Sequence, residues 1–479
     1  MNRLVKTQLT PASFAVDLGD GSERGLYVNQ DYILRKLGRP HRAINIMYCY
    51  YPLDKEWPAR VSEACKDADI SFQWDYPYDD YFPYRGGLDG NTEGEPFTCM
   101  RDIRKHGQDV VLTLTCDPNV SDEHIIAIAK DLRNYGRMML RLNHEATGDW
   151  FSFTKRTDYQ GVADFFVRFT NIVKEYAPNV QTIICIGGVE PDGEQIEKEK
   201  EFAQTVRAAD IWSIDQYLSL NWGWPYEVAL KENSQHNRKD VKAVYDMTKR
   251  TFERFTYLNG GVKKPMLISE FNADGDVTGP FEQLSDVKKF CDLIKEDSDR
   301  WLSGFTFYQF RDDGRLGLEI TDPNNSDVGV EQPILKYYKD MINEDFFKPG
   351  IEDKGECALP AKLRWGGSED SEGLGIELSL EANPVYAEAY FEGSLIDANL
   401  MMEINGQWFY KAPGVKYVDF MPAFFDGKIK EPTTVRLNIF APPATGENDP
   451  SQGEDWQTNY YYEIKELPRI RLEFEPVLA

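Results

Sequence analysis

Two glutamates, each following a short apolar run, are the residues in this sequence best suited to chemistry. Glu145 follows Met138-Met139-Leu140 by a few residues, and Glu270 directly follows Met266-Leu267-Ile268-Ser269. A pair of carboxyl groups can cleave a glycosidic bond, because one protonates the leaving oxygen while the other faces the oxocarbenium-like carbon. The environments of the two groups must then keep one protonated and the other ionised near neutral pH. The pair predicts glycoside hydrolysis, with Glu145 as the acid and Glu270 as the nucleophile.

Aromatic and polar side chains occur at the ends of the same and similar apolar runs. Sugars stack their apolar faces on aromatic rings and hydrogen-bond through their hydroxyl groups. We therefore predict a substrate-binding set around the two glutamates, and we expect the Tyr217 hydroxyl to donate to Glu270 and hold it in place. The predicted substrate-binding residues are Trp74, Arg141, Asn143, His144, Trp150, Tyr217 and Trp222.

The first 350 residues alternate apolar runs with amphipathic helical stretches, which indicates an α/β fold. Eight strands are expected, starting near Ala43, Ile70, Val110, Met138, Thr182, Ile211, Met266 and Phe305. Eight such repeats predict a (β/α)8 TIM barrel, whose active site lies at the carboxyl ends of the strands. An open doubly wound sheet allows the same alternation, but no Gly-x-Gly-x-x-Gly loop follows the first strand to support it.

The pattern changes near Pro349-Gly350, where helical periodicity gives way to short β-rich runs. We predict a barrel domain over residues 1–350 and a smaller antiparallel β-sandwich over residues 355–479, with Asn405-Gly406 as a hairpin turn. The aromatic residues of this second part either stack on sugar or pack in the sandwich core and against the barrel, and we favour packing. They are Trp365, Trp408, Tyr410, Trp456, Tyr460, Tyr461 and Tyr462.

Composition restricts the partners of the protein. The 479 residues carry a formal net charge of −26, which repels nucleic acid and anionic membrane surfaces and is compatible with a neutral polysaccharide or oligosaccharide. No run reaches the roughly 20 apolar residues of a membrane span. The seven cysteines have no regular spacing, and no apolar run of signal-peptide length follows the first residues, so a cytoplasmic setting is expected unless an export signal has been removed.

Metal and cofactor sites are not expected. The five histidines are not paired at ligand spacing, which argues against zinc. Asp322, Asn324 and Asp327 are better explained as a polar turn than as a calcium loop, because the remaining positions do not match an EF-hand.

Beyond these features, the sequence resembles glycoside hydrolase family 26, the retaining β-mannanase family. The family pattern Arg-x-x-His-Glu-x-x-Gly-x-Trp-Phe is matched in type and spacing, and the likeness extends over roughly residues 40–345. The matching residues are Arg141, His144, Glu145, Gly148, Trp150 and Phe151.

Two further segments resemble the sixth-strand and nucleophile-strand segments of that family: Asp215-Gln216-Tyr217 with Asn221-Trp222-Gly223, and Lys264 to Phe271. The resemblance implies that Glu145 is the acid/base and Glu270 the nucleophile. It also implies that His144, Trp150, Tyr217 and Trp222 line the subsite at the cleaved bond, and that the substrate is a β-mannan. Asn272 departs from the glycine that the family usually has after the nucleophile segment.

Overall fold

The computed structural model shows a closed barrel of eight parallel strands joined to antiparallel sheets. It describes residues 3–20, 27–54, 82–148, 151–187, 193–220, 238–312, 314–365, 371–441 and 462–474. Strand β1 (Leu4–Thr10) precedes the barrel, whose strands follow in chain order. The barrel strands are β2 (Ala15–Gly19), β3 (Ala43–Tyr50), β4 (Asp109–Cys116), β5 (Met138–Leu142), β6 (Val180–Cys185), β7 (Ile211–Ser219), β8 (Met266–Ala273) and β9 (Gly304–Phe307).

Helices connect the barrel strands and cover them from outside, which confirms the predicted (β/α)8 class. The longer helices are amphipathic and bury apolar faces, as the Phe-rich stripe from Val162 to Val173 illustrates. The helices are α1 (Gln30–Leu37), α2 (Phe97–Lys105), α3 (Asp122–Leu132), α4 (Tyr159–Tyr176), α5 (Gly193–Ala208), α6 (Val241–Leu258), α7 (Gly275–Thr278), α8 (Pro280–Glu296) and α9 (Pro333–Ile342). No helix in the described ranges has the length and apolar character needed to cross a membrane.

One predicted barrel strand was wrong, although the number of strands was right. β3 pairs directly with β4, so the strand expected at Ile70, which lies outside the described residues, has no place in the barrel. The missing member is β2, which pairs with β3 and β9 and closes the cylinder. Its apolar run is interrupted by Asp17, a fully buried carboxylate that accepts hydrogen bonds from Arg42. The sequence pattern therefore did not indicate β2 as a barrel strand.

The amino-terminal end of the barrel is closed by apolar side chains. Six consecutive strands, β3 to β8, each contribute one buried residue to a compact cluster inside the cylinder. These residues are Ala43, Val111, Met139, Ile183, Ile211 and Leu267. Since this layer excludes water from that end, polar chemistry inside the barrel is confined to the carboxyl ends of the strands.

After β9 come a small sheet and then the antiparallel part of the molecule. The small sheet contains β10 (Arg311–Asp312), β11 (Glu319–Asp322) and β12 (Asn325–Glu331). The later strands are β13 (Gly350–Glu356), β14 (Ala361–Leu363), β15 (Glu372–Leu380), β16 (Pro384–Tyr390), β17 (Leu400–Ile404), β18 (Gln407–Lys411), β19 (Tyr417–Asp419), β20 (Thr433–Phe440), β21 (Tyr462–Ile464) and β22 (Arg469–Phe474).

The later strands form a six-stranded sheet, β13-β1-β15-β20-β17-β18, which shares an apolar core with the three-stranded sheet β19-β16-β22. A two-stranded sheet pairs β14 with β21. The arrangement agrees with the predicted sandwich, and positive φ angles at Asn405 and Gly406 confirm the turn between β17 and β18. The structure also places β1 inside the six-stranded sheet, so both ends of the chain build this part; the proposed division near residue 350 stays a prediction.

The aromatic residues of the sandwich that the structure describes are used for packing. Trp408 is buried with Leu9 and Leu34 between the sheet and α1, and its backbone N–H donates to the Gly38 carbonyl. Tyr410 contacts the His106 ring, with centroids 4.3 Å apart. Both side chains therefore contribute to the contact between the antiparallel part and the barrel. Trp456, Tyr460 and Tyr461 lie outside the described residues.

Candidate active site

The Arg141 guanidinium joins the elements that form the centre of the site. Its Nη2 donates to Glu270 Oε1 at 2.8 Å, and its Nη1 donates to Asp215 Oδ1 at 3.1 Å. Its Nε donates to Thr113 Oγ1 at 2.7 Å. One side chain on β5 therefore contacts residues on β4, β7 and β8, and orients both carboxylates.

Glu270 is held from two sides. The Tyr217 hydroxyl, near the end of β7, donates to Glu270 Oε2 at 2.7 Å, while Arg141 occupies Oε1. Both oxygens thus accept hydrogen bonds, as in the ionised form of a carboxylate. The structure therefore contains the contact between Tyr217 and Glu270 that the sequence predicted.

The chain turns sharply after β5, and this turn directs Glu145. Asn143 and Glu145 both have φ near +49°, a left-handed conformation that asparagine adopts more readily than most residues. The Asn143 side chain stabilises the turn, because its Oδ1 accepts from Cys116 N–H and its Nδ2 donates to Cys116 C=O. The end of β5 is thereby tied to the end of β4, with the Glu145 side chain partly exposed.

Glu145 and Glu270 face one site. His144, Glu145 and Asp215 each offer an atom of one group in which all the atoms lie within 4.8 Å of one another. Asp215 is paired with Glu270 across β7 and β8 and shares Arg141 with it. His144 Nε2 lies 3.9 Å from Glu270 Oε1. Both predicted catalytic carboxylates therefore lie close to Asp215 and His144.

The same group offers one nitrogen and two carboxylate oxygens to a cation. Arg141 already supplies positive charge at Asp215, where its Nη1 lies 3.1 Å from Oδ1. The donor set is compatible with a small divalent ion, but nothing in the proposed reaction requires one.

Burial and charge change the acid–base behaviour of this site. Burial, and next the Glu270 carboxylate, raise the pKa of Asp215 above its usual value, with Arg141 opposing. Burial and the neighbouring Arg141 charge lower the pKa of His144 well below its usual value, so the imidazole is neutral. Although burial opposes it, Asp215 and Glu270 raise the pKa of Arg141. A permanent cation thus lies beside a carboxyl group that retains its proton to unusually high pH.

Two predicted substrate contacts have another role in the structure. Arg141 and Asn143 are 1% and 2% exposed, and their polar groups are bonded to protein atoms. They position the carboxylates and the strand ends rather than present groups to a sugar. His144 and Tyr217 border Glu270, whereas the predicted contacts Trp74, Trp150 and Trp222 lie outside the described residues.

Two residues of the site, Asp215 and Thr113, and the neighbouring Asn272 were not among those predicted to function. Asp215 was noted only as part of a strand end, although its position at the end of the sixth barrel strand could have identified it. Thr113, in the middle of β4, has no such signal. Asn272 is fully buried, and its Nδ2 donates to the Tyr308 carbonyl at 2.8 Å. It connects β8 to the chain after β9, which explains a side chain where the resembled family has glycine.

Comparisons with known proteins give structural likeness at low identity. No protein-family model matches the chain, and no curated protein matches it in sequence. A GH26 β-mannanase from Bacteroides ovatus aligns with a TM-score of 0.41 at 11% identity, covering 70% of this chain and 89% of that one.

Two arabinofuranosidases align over more of the chain. A GH51 enzyme from Xanthomonas axonopodis pv. citri has a TM-score of 0.45 at 12% identity, covering 92% of this chain and 100% of that one. The family 51 α-L-arabinofuranosidase AbfB from Bifidobacterium longum has a TM-score of 0.43 at 10% identity, covering 91% and 97%. Likeness of this order decides neither the reaction nor the substrate of this chain.

Proposed function

We propose that this protein is a retaining, endo-acting β-glycoside hydrolase. The observation that carries the proposal is the carboxylate Glu270, held by Arg141 and Tyr217 in the same site as Glu145. A nucleophile needs this fixed orientation, and a general acid needs a position from which it reaches the leaving oxygen.

The proposed reaction is a double displacement in which the two groups have different roles. Glu270 attacks the anomeric carbon as Glu145 transfers its proton to the departing glycosidic oxygen, and a glycosyl ester forms on Glu270. Glu145, now a carboxylate, takes a proton from water, and the resulting hydroxide displaces Glu270 from the sugar. Asp215 limits the negative charge in the site, because its raised pKa keeps a proton there that a third full carboxylate would lack.

A β-mannan or mannooligosaccharide is the first substrate to test, and this choice rests on the resemblance of the motif around Glu145. A β-1,3-xylan and a β-glucan are the next candidates. A barrel that binds carbohydrate without cleaving it is the alternative of a different class. The paired donors on Glu270 favour an enzyme, because a binding protein has no need of a carboxylate oriented by both an arginine and a tyrosine.

A rescue experiment assigns the two roles. Glycans are screened with the wild-type protein, and an activated aryl glycoside of the cleaved sugar is then given to the variants with azide. We expect Glu270→Ala to form the α-glycosyl azide, because azide enters directly in place of the nucleophile. We expect Glu145→Ala to form the β-glycosyl azide, because azide enters after the ester has formed. Glu253→Ala, on an exposed face of α6, is the matched control.

Three results would contradict the proposal. Unchanged turnover in Glu270→Ala would show that Glu270 is not the nucleophile. If NMR shows that the first product released has the inverted anomeric configuration, the reaction is not a double displacement. Glycan binding without cleavage by the wild-type protein supports the non-catalytic alternative.

A further inference from the structure

A cavity of about 350 Å³ lies at the closed end of the barrel, between the barrel and the six-stranded sheet. Its walls include Ile211 and Leu267 at the starts of β7 and β8, and Trp365 and Trp408 from the antiparallel part. It is separate from the candidate active site, which lies at the opposite ends of the strands. The volume falls within the roughly 300–1,000 Å³ of small-molecule sites.

The cavity contains a buried positive charge. Arg39 lines it and is 8% exposed. Its Nε and Nη1 donate to the carbonyl oxygens of Pro40 and Ile342, and no carboxylate in the described parts of the chain forms an ion pair with it. Burial lowers the pKa of Arg39 to about 10, so the guanidinium still carries its charge at neutral pH. A buried charge without a counterion is costly, and an anion in the cavity removes that cost.

A second polar group faces the same space. His41 lines the cavity and is 5% exposed; its Nε2 lies 2.8 Å from the Tyr338 hydroxyl. Its Nδ1 is buried and has no hydrogen-bond partner among the described atoms. Burial, and next the Arg39 charge, lower the pKa of His41 to about 3, so the ring is neutral. When Tyr338 donates to Nε2, the hydrogen lies on Nδ1, and the neutral ring does not compete with Arg39 for an anion.

The remaining charge near this space is balanced. Arg42 also lines the cavity, but its guanidinium donates to the buried Asp17 carboxylate. The excess positive charge therefore belongs to Arg39, since the His41 ring is neutral.

Flat apolar surfaces complete the walls. Trp365 and Trp408 meet edge to face with ring centroids 5.9 Å apart. Trp365 is fixed by its Nε1, which donates to the Gly107 carbonyl at 2.8 Å. Gly107 has φ +75°, and a Cβ there would lie 2.7 Å from the Trp365 ring, so glycine permits the indole to approach this closely. The exposed residues Pro11 and Gln181 also border the cavity, which places them at its opening to solvent.

We propose that this cavity is a second binding site, for a small ring-bearing carboxylate. The carboxylate pairs with Arg39, while the ring lies against the tryptophan walls. Arginine suits this role because its guanidinium presents several donors to a carboxylate at once. The proposal does not depend on the glycosidase activity, since no residue of the active site contributes to it.

Fluorine NMR of protein labelled with 5-fluorotryptophan tests the proposal. Trp365→Phe and Trp408→Phe assign the two reporter signals. Sodium D-glucuronate and sodium benzoate are the probes, and D-glucose and benzyl alcohol are their neutral counterparts. We expect at least one anion to shift both reporter signals saturably while its neutral counterpart does not. Glucuronate and benzoate distinguish a sugar acid from an aromatic acid, and occupation of the active site would leave the two reporters unshifted.

Variants test whether Arg39 supplies the positive charge that binds the anion. We expect Arg39→Gln to weaken binding of the active anion at least about tenfold, because it removes a charge-assisted hydrogen bond. Arg35→Gln, one helical turn earlier and exposed, should leave binding unchanged. The proposal is overturned if neither anion gives a saturable shift, if the neutral compound binds equally well, or if Arg39→Gln binds as the wild type does. If Arg39→Gln does not fold, the comparison of the anion with its neutral counterpart in the wild-type protein still decides whether the cavity binds an anion.

Discussion

At the scale of the residue, Glu270 owes its orientation to two donors on different strands. Arg141 reaches Oε1 from β5, and Tyr217 reaches Oε2 from β7. Arg141 is in turn held by Asp215 and Thr113, so the geometry of the carboxylate depends on contacts well away from it. Removing a single donor should therefore change reactivity more than stability.

Tyr217→Phe removes only the hydroxyl that donates to Glu270. A hydrogen bond to a charged group is worth about 1.5–3 kcal/mol, so we expect kcat/KM to fall about ten- to a hundredfold. Steady-state kinetics on whichever glycan the wild type cleaves measure this. Tyr257→Phe, on the exposed side of α6, serves as the control. An unchanged kcat/KM would show that the hydroxyl does not support the nucleophile.

His41 makes stability depend on pH. Burial lowers the pKa of His41 in the folded protein to about 3, below the usual value of about 6.5, so as the pH falls the unfolded chain binds a proton before the folded protein does. This contribution is complete above pH 6.5 and is lost as the pH falls toward 3.

We therefore expect the stability difference between wild type and His41→Gln to shrink by about 2 kcal/mol between pH 7 and pH 5. Urea unfolding of both proteins at the two pH values measures it. Equal losses of stability in the wild type and in His41→Gln would mean that His41 is accessible to protons in the folded state. Other titrating groups, His144 included, are common to both proteins and cancel in the comparison.

At the scale of the element, the turn after β5 controls the position of Glu145. Asn143 bonds both backbone groups of Cys116, and the chain takes a left-handed conformation at residues 143 and 145. The cost of that conformation is offset by the side-chain bonds to β4. A change at Asn143 should thus affect both the fold and the acid.

Asn143→Ala should lower the free energy of unfolding by about 2–4 kcal/mol, from buried Cys116 groups left unpaired and from left-handed backbone at alanine. Asn143→Gly loses the same hydrogen bonds, but glycine adopts the left-handed conformation readily. It should therefore be about 1 kcal/mol more stable than Asn143→Ala. Denaturant titration measures both variants, with the exposed Asn134→Ala as control. Equal stability of Asn143→Ala and wild type would show that the turn does not depend on this side chain.

At the scale of the whole molecule, segments from before and after the barrel meet in one sheet. β1 lies between β13 and β15, with Val5 and Leu9 buried. The six-stranded sheet also packs against α1 through Trp408. The antiparallel part is therefore held by the start of the chain as well as by the segment that follows α9.

Deletion of residues 1–10 should destabilise the protein, because it removes β1 from the interior of the sheet. Burying a side chain such as Val5 or Leu9 contributes about 1.5–3 kcal/mol, and β13 and β15 also lose their hydrogen-bonded neighbour. Calorimetry should show a lower Tm, whereas deletion of residues 1–3 should have little effect. An unchanged Tm for the longer deletion would mean that β1 contributes nothing to the sheet.

The class of fold and the two glutamates were accessible from sequence because they depend on local patterns. Buried parallel strands are continuous apolar runs, and Glu145 and Glu270 follow two of them. β2 was not predicted because Asp17 breaks its apolar run, and the guanidinium that pairs with this buried carboxylate belongs to Arg42, 25 residues away. Asp215 and Thr113 were not predicted as site residues for a related reason: their importance comes from contact with Arg141.

What the amino-acid sequence determined by itself is the type of barrel, the strands that carry the carboxyl groups and the chemistry that paired carboxyl groups can perform. Only the tertiary structure decided that Arg141 and Asn143 position other groups, that Asp215 lies within the site, and that β1 completes a distant sheet. The physical reason is that periodicity reports which face of an element is buried. It does not report which partner a buried polar group finds, since that partner comes from another part of the chain.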